Sequence, residues 1–326
     1  MRSRMAVTGA NGFVGRAVCH ALLAAGHTVT GVVRRERTCP AGAVEWASTV
    51  PNFGDIEHTW PAGLQVDCVI HLAARVHVMR DDAADPLEAF RATNVEGTLR
   101  MAKAAHRHGV RRFLYVSSIK AVAELDPGRP LREDDPKNPE DAYGRSKLEA
   151  EIALRQLGED SGLDVVVIRP PLVYGPGVQA NFLSLLNAIS RGIPLPLGAV
   201  QAQRSLVYVD NLADAIVRCA TDPRATAGCF HVADDESPTV AELAKRIGNH
   251  LHRPARLVPV PAGWLRLAGR LTGRLPQIER LTGNLRVDNA CIRAALGWRP
   301  SCTLDEGLEQ TVRWYRTTDY RGADGN

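Results

Sequence analysis

The chain has 326 residues, of which 45% are apolar and 23% charged, a composition typical of a globular protein with one large domain or two closely joined ones. Its net charge is +4, and the basic residues form no dense run with interleaved aromatic residues, which argues against nucleic acid as a partner. No 18-residue apolar segment and no signal-peptide pattern is present, so the sequence predicts no membrane span.

The seven cysteines are scattered along the chain, odd in number, and without a C-x-x-C pair. This pattern argues against both a disulfide framework and a zinc site. We therefore expect a cytoplasmic protein without a bound metal.

Short apolar runs alternate with longer amphipathic stretches in the first half of the chain. Strands are predicted at 4–9, 27–33, 66–74, 111–118 and 164–170, and helices at 13–25, 86–109 and 142–157. Strands that alternate with helices in this way indicate an α/β fold with a doubly wound parallel (Rossmann) sheet.

The texture of the sequence changes after residue 170, where prolines and glycines become frequent and the segments shorten. We expect residues 1–170 to form a dinucleotide-binding domain and 171–326 a smaller mixed α/β substrate domain. Part of 204–235 is expected to pack back on the first domain. Two helix starts in the second domain are marked by capping-box spacing, Thr239 with Glu242 and Thr303 with Glu306.

One segment of the second domain alternates arginines with leucines at helical spacing. Arg266, Arg270 and Arg274 lie opposite Leu267, Leu271 and Leu275. The pattern fits either a basic membrane-surface helix or a solvated cationic face. Three glycines in and beside the segment weaken the helix and favour the solvated face.

A glycine-rich loop, "VTGANGFVG", follows the first predicted strand and opens the first predicted helix. Gly9, Gly12 and Gly15 have the G-x-x-G-x-x-G spacing that lets the backbone approach a pyrophosphate at a helix N-terminus. The acid that would select NAD at the end of the second strand is replaced by Val33, which Arg34 and Arg35 follow. Two cations attract a 2′-phosphate, which favours NADP(H), while NAD(H) remains possible.

Tyr143 and Lys147 lie one helical turn apart in the helix predicted at 142–157. An ammonium beside a phenol favours the ionised phenol, so we expect Lys147 to lower the pKa of Tyr143 and to make it a proton carrier. Ser118 ends the strand before this helix, at the edge where such sheets bind ligands. Ser118, Tyr143 and Lys147 are therefore the predicted catalytic residues.

These motifs, in this order, resemble the extended branch of the short-chain dehydrogenase/reductase superfamily, which contains nucleotide-sugar epimerases, dehydratases and 4-ketoreductases. Further matches are Asp55 after Gly54, "HLAA" from His71, Asn94, "RPPLVYGPG" from Arg169 and "RSLVYVDNLADAI" from Arg204. The resemblance therefore covers nearly the whole chain.

The resemblance implies a role for each group of site residues. Asp55 and Ile56 would lie at the adenine, Ala73 and Ala74 along the cofactor, and Pro170 and Pro171 beside the nicotinamide. Ser118 would bind the reacting sugar oxygen, Tyr143 would move its proton, and Lys147 would also hold the nicotinamide ribose. The remaining predicted cofactor-binding residues are Asn11, Phe13, Val14, Leu72, Asn94 and Ser117. The predicted substrate residues are Lys120, Asn181, Arg204 and Arg280, with Phe182 and Arg286 as further candidates.

Departures from the family pattern separate the possible reactions. The dehydratases of this branch carry an Asp-Glu pair where this chain has Ile119-Lys120, so we expect no dehydration. An asparagine of the family pattern is replaced by Leu172, which leaves one diphosphate contact without its usual residue.

Two reactions at sugar carbon 4 remain, reduction of a UDP-4-keto sugar and C4 epimerisation. Arg34 and Arg35 favour a reductase with an exchanging NADPH. The segment "SSIK" also resembles the corresponding segment of the reductases of UDP-4-keto-6-deoxy-HexNAc in surface polysaccharide synthesis. The alternative from another class is a protein that binds dinucleotide without turnover. The resemblance also implies a homodimer built from the helix after Pro86 and the Tyr143 helix.

Overall fold

The computed structural model describes residues 2–76 and 85–318. Its strands are β1 (Arg4–Thr8), β2 (Thr28–Val33), β3 (Val44–Ala47), β4 (Cys68–His71), β5 (Arg112–Val116), β6 (Asp164–Arg169), β7 (Leu172–Tyr174), β8 (Leu206–Tyr208) and β9 (Cys229–His231). Its α-helices are α1 (Phe13–Ala24), α2 (Ile56–Thr59), α3 (Pro86–Arg91), α4 (Thr98–Arg107), α5 (Ala142–Ser161), α6 (Ala180–Ser190), α7 (Val209–Thr221), α8 (Val240–His250), α9 (Ala262–Leu271), α10 (Leu275–Thr282), α11 (Ala290–Leu296) and α12 (Leu304–Thr317).

The centre of the molecule is a parallel sheet of seven strands in the order β3-β2-β1-β4-β5-β6-β9. From β1 the chain first adds strands on one side and then, from β4 onward, on the other. The carboxyl ends of β1 and β4 therefore flank the point where the strand order reverses, which is where such sheets bind ligands. The predicted doubly wound Rossmann fold is confirmed.

Both faces of this sheet are covered, because successive strand residues point to opposite faces and each face is apolar. On one face, Met5 and Val7 of β1 pack with residues of α1 and α7. On the other face, Ala6 packs with residues of α4 and α5. The two layers hold the carboxyl ends of the strands at a fixed edge.

The later part of the chain adds a two-stranded sheet, β7-β8, packed with α6, α8 and α12 around a separate apolar core. Strand β9 pairs with β6 in the main sheet, and α7 packs on α1, although both follow residue 170. A domain boundary at residue 170 stays a prediction, and the last residues of the predicted second domain, 319–326, lie outside the described ranges.

Several predicted elements differ from the structure in length or continuity. The helix predicted at 86–109 is interrupted by a π-helical turn at Ala92–Gly97 and ends at Arg107. Helix α5 runs to Ser161, where Gly162 ends it in the left-handed conformation at φ 76°. Strand β3 was not predicted, because a short edge strand has little apolar pattern. Both predicted capping boxes are present.

The described part of the chain contains no helix that is both long and apolar enough to cross a membrane. Nor does any group of three or more His, Cys, Asp or Glu side chains within residues 2–76 and 85–318 form a potential metal site. All seven cysteines are free thiols.

Candidate active site

The glycine loop between β1 and α1 closes tightly against the sheet. Gly9 has a φ of 68°, and a Cβ there would lie 3.1 Å from the Ala73 nitrogen on the neighbouring strand end. A Cβ at Gly15 would overlap the carbonyl oxygen of Gly9. Helix α1 begins after Gly12 with no side-chain cap, so its first backbone N–H groups remain available to donate hydrogen bonds to a ligand. The loop therefore fits the pyrophosphate of a dinucleotide.

The end of β2 carries the two arginines that were expected at the cofactor ribose. Arg34 and Arg35 follow the strand directly and are both exposed. Neither forms an ion pair with an acid in the described part of the chain. Beside them, the Asn11 amide donates to the Thr38 hydroxyl at 3.0 Å, which donates in turn to the Arg35 carbonyl oxygen at 2.6 Å. Free positive charge therefore lies at this edge.

The end of β4 is fixed by Thr8 of β1. The Thr8 hydroxyl oxygen accepts hydrogen bonds from the backbone nitrogens of Leu72 and Ala73, both at 3.1 Å. These bonds place the segment that continues to Ala74 against the glycine loop. Leu72, Ala73 and Ala74 are all partly exposed there, as a cofactor contact requires.

Asn94 does not face the cofactor edge as expected. It is buried in the π-helical turn, where its side-chain amide accepts from the Arg75 nitrogen at 2.8 Å and donates to the Arg75 carbonyl oxygen at 3.1 Å. It also donates to the Ser146 hydroxyl at 2.9 Å. Because every polar atom of the amide is used inside the protein, Asn94 holds the segment after β4 in place, and its expected contact with the cofactor stays a prediction.

The predicted adenine residues lie at the start of α2. The Asp55 carboxylate accepts from the Ser48 hydroxyl at 3.0 Å, and Ile56 is buried in the core beneath the sheet. Phe13 and Val14 lie at the start of α1 and pack on the separate apolar core around β7 and β8, called the second core below. The contacts of these four residues with a cofactor stay predictions.

The candidate catalytic residues meet at the carboxyl end of β5. Asp141 caps α5 by accepting from the Gly144 nitrogen at 2.7 Å, which fixes the first turn containing Tyr143. A Cβ at Gly144 would overlap the carbonyl oxygen of Lys120, so the glycine allows α5 to approach the turn after β5. The phenol of Tyr143 lies beside the Ser118 hydroxyl, close enough for the serine to lower the pKa of the phenol.

The electrostatics of this pair differ from the prediction. Burial raises the pKa of Tyr143 to about 12, with a further upward contribution from Asp141 and a downward one from Ser118. Burial lowers the pKa of Lys147 to about 7, against the attraction of Glu151. The expected lowering of the Tyr143 pKa is therefore wrong for this structure, because desolvation of the phenol raises its pKa more than Ser118 lowers it.

Lys147 is held by the strand and not by the phenol. Its ammonium donates to the Val116 carbonyl oxygen at 2.9 Å and lies 4.7 Å from the centroid of the Tyr115 ring. The centroid of the Tyr143 ring is farther, at 5.8 Å. This places the ammonium next to the end of β5, directly below the candidate reaction centre.

A buried ion pair behind the site was not foreseen. Arg169, at the end of β6, forms hydrogen bonds of 2.6 to 3.2 Å with both carboxylate oxygens of Glu151, which lies one turn after Lys147 on α5. The Ser117 hydroxyl donates to the same carboxylate at 2.5 Å. The Ser117 side chain is therefore turned inward, and its expected contact with the cofactor stays a prediction. The sequence signal for this pair was Arg169 itself, because an arginine at the end of a buried strand needs an acidic partner.

Lys120 is bound by two carboxylates. Its ammonium lies 2.7 Å from Asp141 Oδ2 and 3.1 Å from Glu124 Oε1. Glu124 is buried, and burial raises its pKa, while the neighbouring Lys120 opposes that shift. Asp141 is also partly desolvated, but the hydrogen bonds from Lys120 and Gly144 lower its pKa. Sequence reasoning missed Glu124, since it stands outside every motif.

The substrate arginines divide into two kinds. Arg280 Nε lies 3.3 Å from Glu124 Oε2, and Arg204 is partly buried close to Glu124 and Arg280. Burial lowers the pKa of Arg204, while Glu124 and Asp126 oppose this. Arg286 instead binds both carboxylate oxygens of Asp126, at 2.9 and 3.1 Å, so its charge is already neutralised.

The other predicted substrate residues lie on α6 and after β6. Asn181 is exposed, whereas Phe182 is buried in the second core with its ring centroid 5.5 Å from that of Tyr174. Phe182 is therefore a core residue. Pro170 and Pro171 are buried, and the Pro170 carbonyl oxygen accepts from the Ile119 nitrogen at 2.9 Å, which joins the end of β6 to the turn after Ser118.

Comparison with known proteins agrees with this architecture. The model of a family described as "NAD dependent epimerase/dehydratase family" matches residues 5–232. The chain is 40% identical over 324 residues to a Vibrio cholerae protein named UDP-glucose 4-epimerase, with 98% of each chain covered. It is 31% identical to a Mycolicibacterium smegmatis protein of the same name, with 96% of this chain and 98% of the relative covered.

A solved structure has the same fold. UDP-glucose 4-epimerase from Thermotoga maritima, determined with UDP-glucose, matches with a TM-score of 0.79 over 96% of this chain and 99% of that one. The sequence identity is 22%, so this likeness speaks for the fold alone.

Proposed function

The chain belongs to the NAD dependent epimerase/dehydratase family, and we propose that it transfers hydride between NAD(P) and carbon 4 of a UDP-linked sugar. The observation that carries the proposal is the convergence of Ser118, Tyr143 and Lys147 at the end of β5, beside the glycine loop. The name of the Vibrio cholerae relative supports a UDP-sugar as the substrate class.

The side chains of the site support proton transfer to the sugar oxygen. NADPH supplies the hydride when it is bound. Ser118 and Tyr143 would both bond the oxygen on carbon 4, and Tyr143 would give its phenolic proton as that oxygen becomes an alkoxide. A phenol with a pKa of about 12 stays protonated at neutral pH, which suits donation in the reductive direction. Lys147, below the ring, would hold the nicotinamide ribose and stabilise the phenolate that remains.

We place the protein with the UDP-4-keto-sugar reductases, in the synthesis of surface polysaccharide. Arg34 and Arg35 are exposed at the position where a 2′-phosphate would lie, and no acid among residues 2–76 and 85–318 pairs with them. A cofactor that exchanges after each turnover is what a reductase needs. Arg204 and Arg280 would face the diphosphate of the substrate, where their charges exceed that of Glu124.

The second candidate is a UDP-hexose or UDP-HexNAc 4-epimerase. The names of both relatives favour it. An epimerase removes hydride from carbon 4 and returns it to the other face, so it needs a cofactor that stays bound. The same three residues would serve both reactions.

Dehydration is not part of the proposal. Ile119 and Lys120 replace the two acids of the dehydratases. Ile119 is buried, and Lys120 is ion-paired. A protein that binds dinucleotide without turnover is the remaining alternative, and the intact Ser118, Tyr143 and Lys147 stand against it. The homodimer through α4 and α5 stays a prediction, which sedimentation of the purified protein would test.

The deciding experiment begins with native mass spectrometry of the purified protein. A reductase should carry no tightly held cofactor and should oxidise NADPH when a UDP-4-keto-6-deoxy-HexNAc is added. Retained NAD, with interconversion of UDP-glucose or UDP-GlcNAc and their C4 epimers without added cofactor, would establish the epimerase instead. Neither activity, with dinucleotide still bound, would leave the non-catalytic alternative.

A matched pair of variants tests the choice of cofactor. Replacing Arg34 and Arg35 by Ala should raise the KM for NADPH on the order of tenfold and leave that for NADH unchanged, because a guanidinium contributes a charge-assisted bond only to the 2′-phosphate. Arg111→Ala, an exposed arginine at the opposite end of the sheet, is the control. Equal use of both cofactors by the parent protein would contradict the preference for NADPH.

A further inference from the structure

Helix α9 has apolar residues on two faces, and only one of them is covered. Leu265 and Gly269 are buried against the protein. On the outward face, Trp264, Leu267 and Leu271 follow one another at helical spacing and are 68%, 48% and 81% exposed. Val258, shortly before the helix, is also exposed. We call these four residues the α9 apolar face.

The glycines near this helix shape a hairpin and do not disrupt the helix. A Cβ at Gly269 would come within 2.9 Å of Ile278 on α10, so the glycine allows close packing of the two helices. Gly273 turns the chain between them with a φ of 68°. The hairpin packs through Leu265 and Ile278 on the cluster that contains Leu197. This fixed packing keeps the α9 apolar face turned outward.

The charged residues of the segment that contains α9 have one sign. No acidic residue occurs between Glu242 and Glu279, a stretch that contains seven lysines and arginines. Arg266 and Arg270 lie beside the α9 apolar face, Arg274 lies at the turn, and all three are exposed. An exposed tryptophan and leucines flanked by arginines are the composition of helices that lie in the headgroup region of a bilayer.

We propose that α9 docks the protein on the surface of an anionic lipid bilayer. The α9 apolar face would insert at the level of the headgroups, with Trp264 at the interface, while the arginines bind lipid phosphates. The docking is peripheral and leaves the helix parallel to the surface. It is independent of the proposed reaction, because it uses no residue of the candidate active site.

A second copy of the chain fits this face less well. Two-fold association through α9 would bring the same arginines of both copies together, and the segment has no acids with which to neutralise them. A phospholipid surface offers both an apolar layer and negative charge. The observations therefore favour lipid over self-association.

Co-sedimentation of the full chain with vesicles tests the proposal. We expect binding to vesicles that contain phosphatidylglycerol, little binding to pure phosphatidylcholine, and release at high salt. Replacing Trp264 and Leu271 by Ser, or Arg266 and Arg270 by Glu, should each reduce binding on the order of tenfold. Val44→Ser and Arg111→Glu are the controls, since each alters an equally exposed side chain elsewhere.

Tryptophan quenching by brominated lipid locates the contact. Trp46, Trp60 and Trp298 are buried, so quenching that is lost in Trp264→Phe would place α9 at the membrane. Turnover of a dissolved UDP-sugar should be unchanged in the α9 variants, which separates this test from that of the proposed function. Absence of vesicle binding, binding that survives in both sets of variants, or dimers that dissociate only in the α9 variants would each overturn the proposal.

Discussion

The ammonium of Lys120 lies 2.7 Å from the carboxylate of Asp141, the residue that caps helix α5 two positions before Tyr143. The same ammonium lies 3.1 Å from Glu124, which also binds Arg280. Lys120 therefore connects the start of the candidate catalytic helix with a candidate substrate arginine. Its position next to Ser118 made a direct sugar contact an open question, and the structure gives it two protein partners.

Lys120→Met should lower both stability and turnover. Without the ammonium, Asp141 and Glu124 repel each other and the cap of α5 loosens. Because Lys120 is partly exposed, we expect a loss of about 1–2 kcal/mol in the free energy of unfolding and about tenfold in kcat/KM. Denaturant titration and steady-state kinetics measure these effects, with Lys103→Met as the control. A rise in KM for the sugar alone, at unchanged kcat and stability, would mean that Lys120 binds the substrate directly.

Tyr143→Phe should abolish proton transfer without disturbing the fold. The ring and its packing are kept, and only the hydroxyl beside Ser118 is lost. We expect kcat to fall by about 10²–10⁴ while dinucleotide affinity is retained, because proton donation acts only in the chemical step. Ser118→Ala should cause a smaller decrease. Unchanged turnover in Tyr143→Phe would remove this residue from the mechanism.

Lys147→Met should make the protein more stable and inactive. Burial lowers the Lys147 pKa from 10.5 to about 7. Below pH 7 the folded state bears the full cost of the buried charge, and from there to pH 10.5 that cost is progressively relieved, so stability rises with pH. At mildly acidic pH the free energy of unfolding of the variant should therefore exceed that of the parent by on the order of a few kcal/mol. This difference should become smaller as the pH rises.

Urea unfolding at several pH values measures this difference, and Lys137→Met controls for the loss of a lysine at an exposed position. If Lys147→Met were less stable than the parent at every pH, the ammonium would be compensated by its contacts with Val116 and Tyr115. The buried ammonium would then not destabilise the folded state.

Glu151→Gln should be strongly destabilising. Arg169 is 1% exposed, and Glu151 is its ion-pair partner, so the neutral amide leaves a buried guanidinium without the carboxylate that binds it. We expect a loss of about 3–5 kcal/mol in the free energy of unfolding. Glu159→Gln, at an exposed position of the same helix, should change little. A loss below about 1 kcal/mol would show that water or another group reaches Arg169.

Gly15→Ala should impair dinucleotide binding. The new methyl group would overlap the Gly9 carbonyl oxygen and lie 2.9 Å from Ala10 Cα, so the loop must shift away from the pyrophosphate position. Titration with NADPH should give an affinity lower by at least about tenfold. Gly263→Ala is the matched control, because nothing lies within 4 Å of its new methyl group. Normal affinity in Gly15→Ala would remove the loop from the cofactor site.

Features that depend on neighbouring residues could be predicted from the sequence. The order of strands and helices, the glycine loop at Gly9, Gly12 and Gly15, and the one-turn spacing of Tyr143 and Lys147 are all local patterns. Local patterns were sufficient because the hydrophobic period sets the element type, and parallel strands connected by helices allow few topologies. The departure at Ile119-Lys120 was also visible without a structure.

The tertiary structure alone decided which residues surround these motifs and what charge they carry. Glu124 and Arg280 are far apart in sequence, and no pattern links them before the chain folds. Whether Asn94 and Ser117 face a cofactor or the interior depends on the packing of α5 and the π-helical turn. The pKa of Tyr143 moved opposite to the prediction because desolvation depends on everything packed around a group, whereas sequence spacing reveals only one neighbour.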